Sequence, residues 1–362
     1  MPDRAESLPL RGLASALGRG RTALLRATNL QVLAGLAALW LVFSLWQPGT
    51  FSTGGNTLNI ARQGSVLVVV ALAQMFALLI GGFDISVGAN MGFSSVVASR
   101  MMIEHGGIAV GVVAGLAVGA LIGLVNGLLI GPLRVSPFAA TLGMLTFLLG
   151  LGNVLSNGQS VGGLPSSFGL VGGADWDHIP SGVVLALAAV GLSWLILNRS
   201  RLGLYVYGIG GSRSAARLVG VRVYAYEVAA YVLCGLFASF AGIMLAARLS
   251  VGQTESGAGY ELLSIAAAVI GGTAIGGGIG RISGVVLGAL FIQVLTNGLD
   301  VVGIGVYVQG MVTGIVIVLA GVVGLMRNPD FFVRLRALVP SALTSRGHLR
   351  GRRWLGSTSH ES

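Results

Sequence analysis

Ten apolar stretches follow one another along this chain, and several approach the roughly 20 residues that an α-helix needs to cross a bilayer. Eight are clear: Leu30–Trp46, Ile60–Ile80, Ile108–Ile130, Phe138–Leu155, Val183–Leu197, Val228–Ala247, Ile282–Leu299 and Val306–Leu325. Two are weaker. Ile85–Ile103 carries serines and Asn90, and Leu262–Ile275 is short and ends in glycines, as a broken or re-entrant segment would. Charged residues make up only 9% of the chain, against about 25% in soluble domains, too little to cover a water-facing surface. The expected fold is all-α: a polytopic membrane protein with about ten transmembrane helices in two pseudo-repeated halves.

Orientation follows from the basic residues, which stay on the cytoplasmic side of a membrane. All 22 are arginine. They gather in an N-terminal tail (1–29, with Arg4, Arg11, Arg19, Arg21 and Arg26), in a loop at 198–223, and in a C-terminal tail (326–362, from Arg327 to Arg353). With ten spans in the 30–325 domain, all three fall on the cytoplasmic side together with Arg134 and Arg281. The acidic loop Asn157–Pro180 then lies outside. Losing one weak span would separate the tails, so the charges favour ten spans, or eight with both weak segments re-entrant. The basic start and first apolar stretch suggest a signal peptide, but Trp46-Gln47-Pro48 offers no small-residue cleavage site, so an anchor is expected. The end of the C-terminal tail, Ser341–Ser362, is polar and reads as disordered.

The absence of lysine excludes whole chemistries. A P-loop needs its lysine for the phosphates, and a Schiff-base cofactor needs a lysine amine. Any ATP hydrolysis therefore belongs to another chain. The net charge of +10 would suit nucleic acid, but the arginines flank apolar segments instead. Cys234 is the single cysteine and lies inside an apolar stretch, and the four histidines have no metal spacing. No catalytic or metal-ligating residues are assigned. Gly158-Gln159-Ser160-Val161-Gly162 matches a hydrolase nucleophile pattern, which requires a strand–turn–helix and a histidine base. Here it follows a span in a glycine-rich loop, where a chance match is the plainer reading.

Gly107, Gly111, Gly115, Gly119, Gly123, Gly127 and Gly131 recur at every fourth position. On a helix they form one ridge, a surface for close helix packing. Gly81–Gly88 and Gly271–Gly280 are glycine-interrupted segments in similar positions of the two halves, a pointer to internal repeats around a pathway. Asp84 and Ser86 in the first either cap the following helix or meet a transported solute. Ser212 can cap a short helix that Gly220 ends, with Ala215 and Ala216 in it and Arg213 and Arg217 on one face. That helix suits a groove in a soluble partner or an anionic lipid surface. Polar groups in or near spans are the candidates for a solute path: Asp84, Ser86, Asn126, Thr141, Tyr260, Glu261 and Asn297. Each also suits a helix–helix hydrogen bond.

Taken together, Gly81–Gly88 (GGFDISVG), Gly123–Gly143, Gly158-Gln159, Arg201–Gly220, Gly252–Glu261 and Gly271–Gly298 resemble the permeases of ribose/xylose/arabinose-type ABC sugar importers. The resemblance covers roughly residues 30–325. It implies monosaccharide import across the bacterial cytoplasmic membrane by alternating access, with both termini cytoplasmic. It implies a second permease copy (homodimer or heterodimer), an extracytoplasmic sugar-binding protein, and an ABC ATPase subunit that carries the ATP and magnesium. It maps the ATPase-coupling helix onto Ser212–Gly220. Departures lie near the expected gate: Ala274 stands for a common serine, Ile279 for a common arginine, and Leu263 and Ser264 where an acidic residue is common. These bear on the solute rather than the class. Related permeases for branched-chain amino acids or nucleosides are the nearest alternative. An ion-coupled secondary transporter would lean on Asp84 and Glu227.

Overall fold

The computed structural model describes residues 29–177 and 179–326. All the arginines of the two tails, Arg4 to Arg26 and Arg327 to Arg353, the tail end Ser341–Ser362 and His178 lie outside the described residues.

Twelve helices carry the described chain. They are α1 (Asn29–Trp46), α2 (Gly54–Leu79), α3 (Val87–His105), α4 (Ile108–Ile130), α5 (Pro137–Ser156), α6 (Ser181–Arg199), α7 (Arg201–Gly211), α8 (Arg213–Leu218), α9 (Val223–Leu249), α10 (Tyr260–Ile270), α11 (Ile282–Val301) and α12 (Val306–Met326). Local chemistry sets many of their ends. Thr53 caps α2 through its hydroxyl, Pro137 opens α5, and Gly106 ends α3 in the left-handed conformation. The remaining regular structure is slight: two 3-10 turns (Ser166–Val171 and Thr254–Gly257) and a minimal antiparallel hairpin, β1 (Asp175–Trp176) with β2 (Ile179–Pro180).

Seven of these helices are long and apolar enough to cross a membrane: α1, α2, α4, α5, α6, α9 and α11. Their surroundings differ. α2 is buried almost throughout its core-forming run from Val66 to Ile80, packed by α9, α10, α11 and α6. A helix apolar all round belongs inside a protein or a bilayer, and α2 is the central one here. α4 and α5 turn Val113, Leu121, Phe147 and Val154 outward, an apolar face suited to lipid rather than water. α3 buries its serines and Asn90 in protein, which explains its weak hydropathy signal.

The most extensive contact is between α4 and α9. A methyl group on Gly119 would run into Ser239, on Gly123 into the backbone of Tyr231 and Val232, and on Gly127 into Val228. Gly235 of α9 faces Gly119 and Gly123 in return. Gly111 and Gly115 meet α3 at Met102 and Ala98, whereas Gly107 meets only neighbours in its own turn. The missing side chains let two backbones approach closely, and dispersion then acts over the whole seam.

Candidate functional site

Three polar clusters lie within this apolar body. The first forms where the chain breaks between α2 and α3. Gly81 adopts φ +78°, which a glycine takes at no steric cost, and the chain turns back through Phe83 and Asp84. Asp84 is 2% exposed. Its Oδ1 accepts the Ser86 N–H at 2.8 Å and the Ser86 hydroxyl at 2.5 Å, a turn that starts α3. Its Oδ2 accepts from Asn126 Nδ2 of α4 at 3.1 Å, and the same amide donates to Ser86 Oγ at 2.9 Å. The Gln74 carboxamide, oriented to satisfy both partners, donates to the Asp84 carbonyl at 3.0 Å and accepts from its N–H at 3.1 Å. Asp84, Ser86 and Asn126 thus form one enclosed network.

The second cluster is a non-helical strip beside α3. Gly252 pairs with Val161 in an isolated bridge and sits against Ser95 and Ser99. Ser95 Oγ accepts from the Gln253 N–H at 3.2 Å. Gly92 faces Thr254, and Gly88 faces both Gly257 and Glu261. The strip therefore runs along α3 to its first turn, where α10 begins. Irregular backbone at membrane depth is tolerated only where protein covers it or water fills the space. Tyr260 and Glu261 open α10, and Glu261 Oε1 accepts the Gly259 N–H at 3.1 Å. Beyond α10 the second glycine segment meets the first: the Gly278 N–H donates to Leu79 O at 2.8 Å, and Gly210 of α7 packs on both.

Two expected path residues stand elsewhere. Thr141 is buried and donates to Pro137 O at 2.7 Å within α5. Asn297 of α11 and Asn56 of α2 exchange amide hydrogen bonds at 2.9 and 3.0 Å.

The third cluster joins the short helix α8 to the spans. Ser212 Oγ accepts the Ala215 N–H at 3.3 Å, Ala216 is buried, and Gly220 takes φ +80°. Arg213 turns inward and meets Glu227 of α9 at 2.5 Å. Arg134, from the turn after α4, approaches the same carboxylate at 3.7 Å. Arg134 and Arg217 both lie over the Tyr224 ring, at 4.7 and 5.6 Å from its centroid. Glu227 has no exposure at all. This pairing escapes sequence reading because Arg134 and Glu227 stand 93 positions apart in number, and only the α4–α9 seam brings them together. Among the described residues no group of three histidine, cysteine or carboxylate side chains is arranged to hold a metal.

The family described as branched-chain amino acid transport system / permease component matches residues 56–321. The chain belongs to this permease family. The ribose import permease of Escherichia coli K12 is 40% identical to it over 295 residues, covering 80% of this chain and 91% of the relative. The ribose import permease of Bacillus subtilis 168 is 37% identical, over 79% of this chain and 89% of its own length. The L-arabinose permease of Escherichia coli K12 is 34% identical, over 78% and 86% respectively. No solved structure matches the chain. The permease is thus one of the ribose-type ABC sugar importer permeases, a multi-pass membrane protein and a transport subunit. The motif resemblance and these matches agree on this. Its Gly158–Gly162 stretch lies in the turns after α5 rather than at a strand-to-helix elbow.

Proposed function

We propose that this permease imports a monosaccharide across the bacterial cytoplasmic membrane by alternating access, driven by ATP hydrolysis on a partner chain. The observation that carries this is the 40% identity to a ribose import permease across nearly its whole length. A loaded binding protein docks outside, the ATPase subunits bind ATP and magnesium inside, and a second permease copy completes the path. Ligand and ATP must stabilise different states of the pair, since equal affinity for both states moves nothing. The solute path takes in the strip at Gly252–Glu261 and the first turn of α3.

Ten crossings fit this reading. Besides the seven apolar helices, α3 and α12 have 19 and 21 residues, and the strip with α10 makes the remaining crossing. Both termini then share the cytoplasmic side with α8. Helix α8 is the docking element for the ATPase, and it presents Leu218 and Val219, 88% and 79% exposed, outward. The carboxylates an ion-coupled transporter would use, Asp84 and Glu227, are both engaged within the fold. The family description favours branched-chain amino acids as a second reading.

The test is a pull-down from the host's own membranes, followed by uptake in vesicles with the co-purifying components. The reading expects an ATPase to co-purify and ATP to drive uptake of labelled ribose or arabinose. Uptake of leucine instead supports the second reading. ATP-independent uptake that follows a proton or sodium gradient overturns both.

A further inference from the structure

We propose that Arg213, Glu227 and Arg134 form the link through which α8 moves the spans, so that Arg213 serves the permease inward rather than the ATPase outward. The inference rests on the ATPase-driven reading above and assigns the residues that transmit the motion.

Glu227 is fully buried four residues into α9, yet its carboxylate meets arginines from two other elements. Arg213 comes from α8 and Arg134 from the turn between α4 and α5. Arg134 takes φ +59°, a left-handed conformation that a long side chain rarely adopts, and from there its guanidinium reaches both Glu227 and the Tyr224 ring. A buried carboxylate holds its partners firmly, because losing one leaves charge uncompensated in a poor solvent. Helix α8 is otherwise held by Ala216, which packs with Ile209 and Val223, and by Arg217 over the Tyr224 ring. It is six residues long and buries only Ala216. Neither Glu227 oxygen has a well-aligned hydrogen bond, so the contact is one of charge, which tolerates rotation of α8 better than a directional bond. The charged and titratable groups near Glu227 are Arg213, Arg134, Arg217 with Tyr224 and, one turn along α9, Tyr231. Arg213 keeps 44% of its side chain exposed beyond this contact, and Leu218 and Val219 are the largest apolar side chains that α8 and its C-cap leave for a partner.

Mechanically, a push on α8 reaches α9 through Arg213 and the α4–α5 turn through Arg134. Both routes feed the glycine seam that carries Asn126 and hence Asp84. A contiguous charged contact between a short helix and two spans gives coupling a route, and the variants below test whether motion passes along it.

The first assay uses the purified permease alone. Trypsin cutting after Arg217 reports how often α8 leaves its seat. Glu227→Gln is expected to raise that rate about tenfold, a change equivalent to roughly 1.4 kcal/mol, while Arg213→Lys stays near wild type. The second assay uses the permease with its co-purifying ATPase and binding protein. Glu227→Gln and Arg213→Gln should keep the ATPase bound but lower the solute moved per ATP at least about fivefold, with Arg213→Lys restoring the ratio. The paired substitution Leu218→Ser with Val219→Ser should instead strip the ATPase. Wild-type cutting of Glu227→Gln overturns the link. So does loss of the ATPase from Arg213→Gln while Glu227→Gln transports normally. If wild type itself recruits no ATPase, the importer reading falls, and the trypsin result separately decides whether Glu227 holds α8.

Discussion

The Asp84 cluster and the Glu227 cluster each bury a carboxylate on the α4–α9 seam, but they are built differently. Asp84 is held by neutral donors: its own turn at Ser86, and Asn126 across on α4. All of these belong to long helices or their immediate caps. Glu227 is held by two arginines, and one of them stands on a six-residue helix. Directional hydrogen bonds fix a geometry, whereas charge contacts restrain distance more than angle. The first cluster therefore acts as a fixed joint at the break before α3. The second acts as an adjustable one beside the short helix α8.

The largest effect that separates them is expected at the fixed joint. Asp84→Ala leaves the Ser86 N–H and hydroxyl without their acceptor and the Asn126 amide with Ser86 Oγ alone. Each buried donor left unpaired costs about 1–3 kcal/mol, so the loss is about 3 kcal/mol or more. Thermal unfolding of the detergent-solubilised permease should shift strongly downward, and Asp84→Asn, which keeps one acceptor oxygen, should shift less. Identical melting of Asp84→Ala and wild type would mean that this network restrains nothing.

The seam comes next, because both clusters ride on it. Gly123→Ala places a methyl group against the backbone of Tyr231 and Val232, neither of which can rotate away. Overpacking of this kind costs about 1–3 kcal/mol. Gly150→Ala on α5 is the control: nothing lies near its added methyl, so removing a helical glycine should leave stability equal or raise it by up to about 1 kcal/mol. If the seam connects the joints, Gly123→Ala also accelerates trypsin cutting in the α8 loop and Gly150→Ala does not. Equal cutting in both variants would separate the clusters.

Much of this architecture was legible in the residues, and for physical reasons. Apolar length marks spans directly, and the every-fourth-residue glycines of α4 lie where the sequence reading put a packing ridge, most of them against α9 or α3. Helix α3 read weakly because Ser94, Ser95 and Ser99 are shielded by protein rather than by their own apolar character. The irregular strip at Gly252–Gly257 showed in the sequence only as part of a family motif, since its backbone is satisfied by distant partners such as Val161 and Ser95. The pairing partners of the arginines were not legible at all. An arginine beside a span reads as cytoplasmic whether it faces water, lipid or a buried glutamate, and only tertiary packing distinguishes these.

The smallest expected effect tests whether the adjustable joint is adjustable on both sides. Arg134 lies at 3.7 Å from Glu227 with 36% of its side chain exposed, while Arg213 lies at 2.5 Å. Partly exposed pairs of the first kind contribute about 1 kcal/mol or less, and stacking on Tyr224 adds a similar amount. Arg134→Gln should therefore lower the melting temperature only slightly. Its effect should fade in high salt, because the exposed guanidinium is screened within about 10 Å at moderate ionic strength. Arg213 is itself 44% exposed, so Arg213→Gln should also lose effect in salt, but from a larger starting value, because its contact with the same buried carboxylate is closer. If Arg134→Gln proves the more damaging, the α4–α5 turn is the principal anchor of Glu227, and α8 is the looser of the two arms.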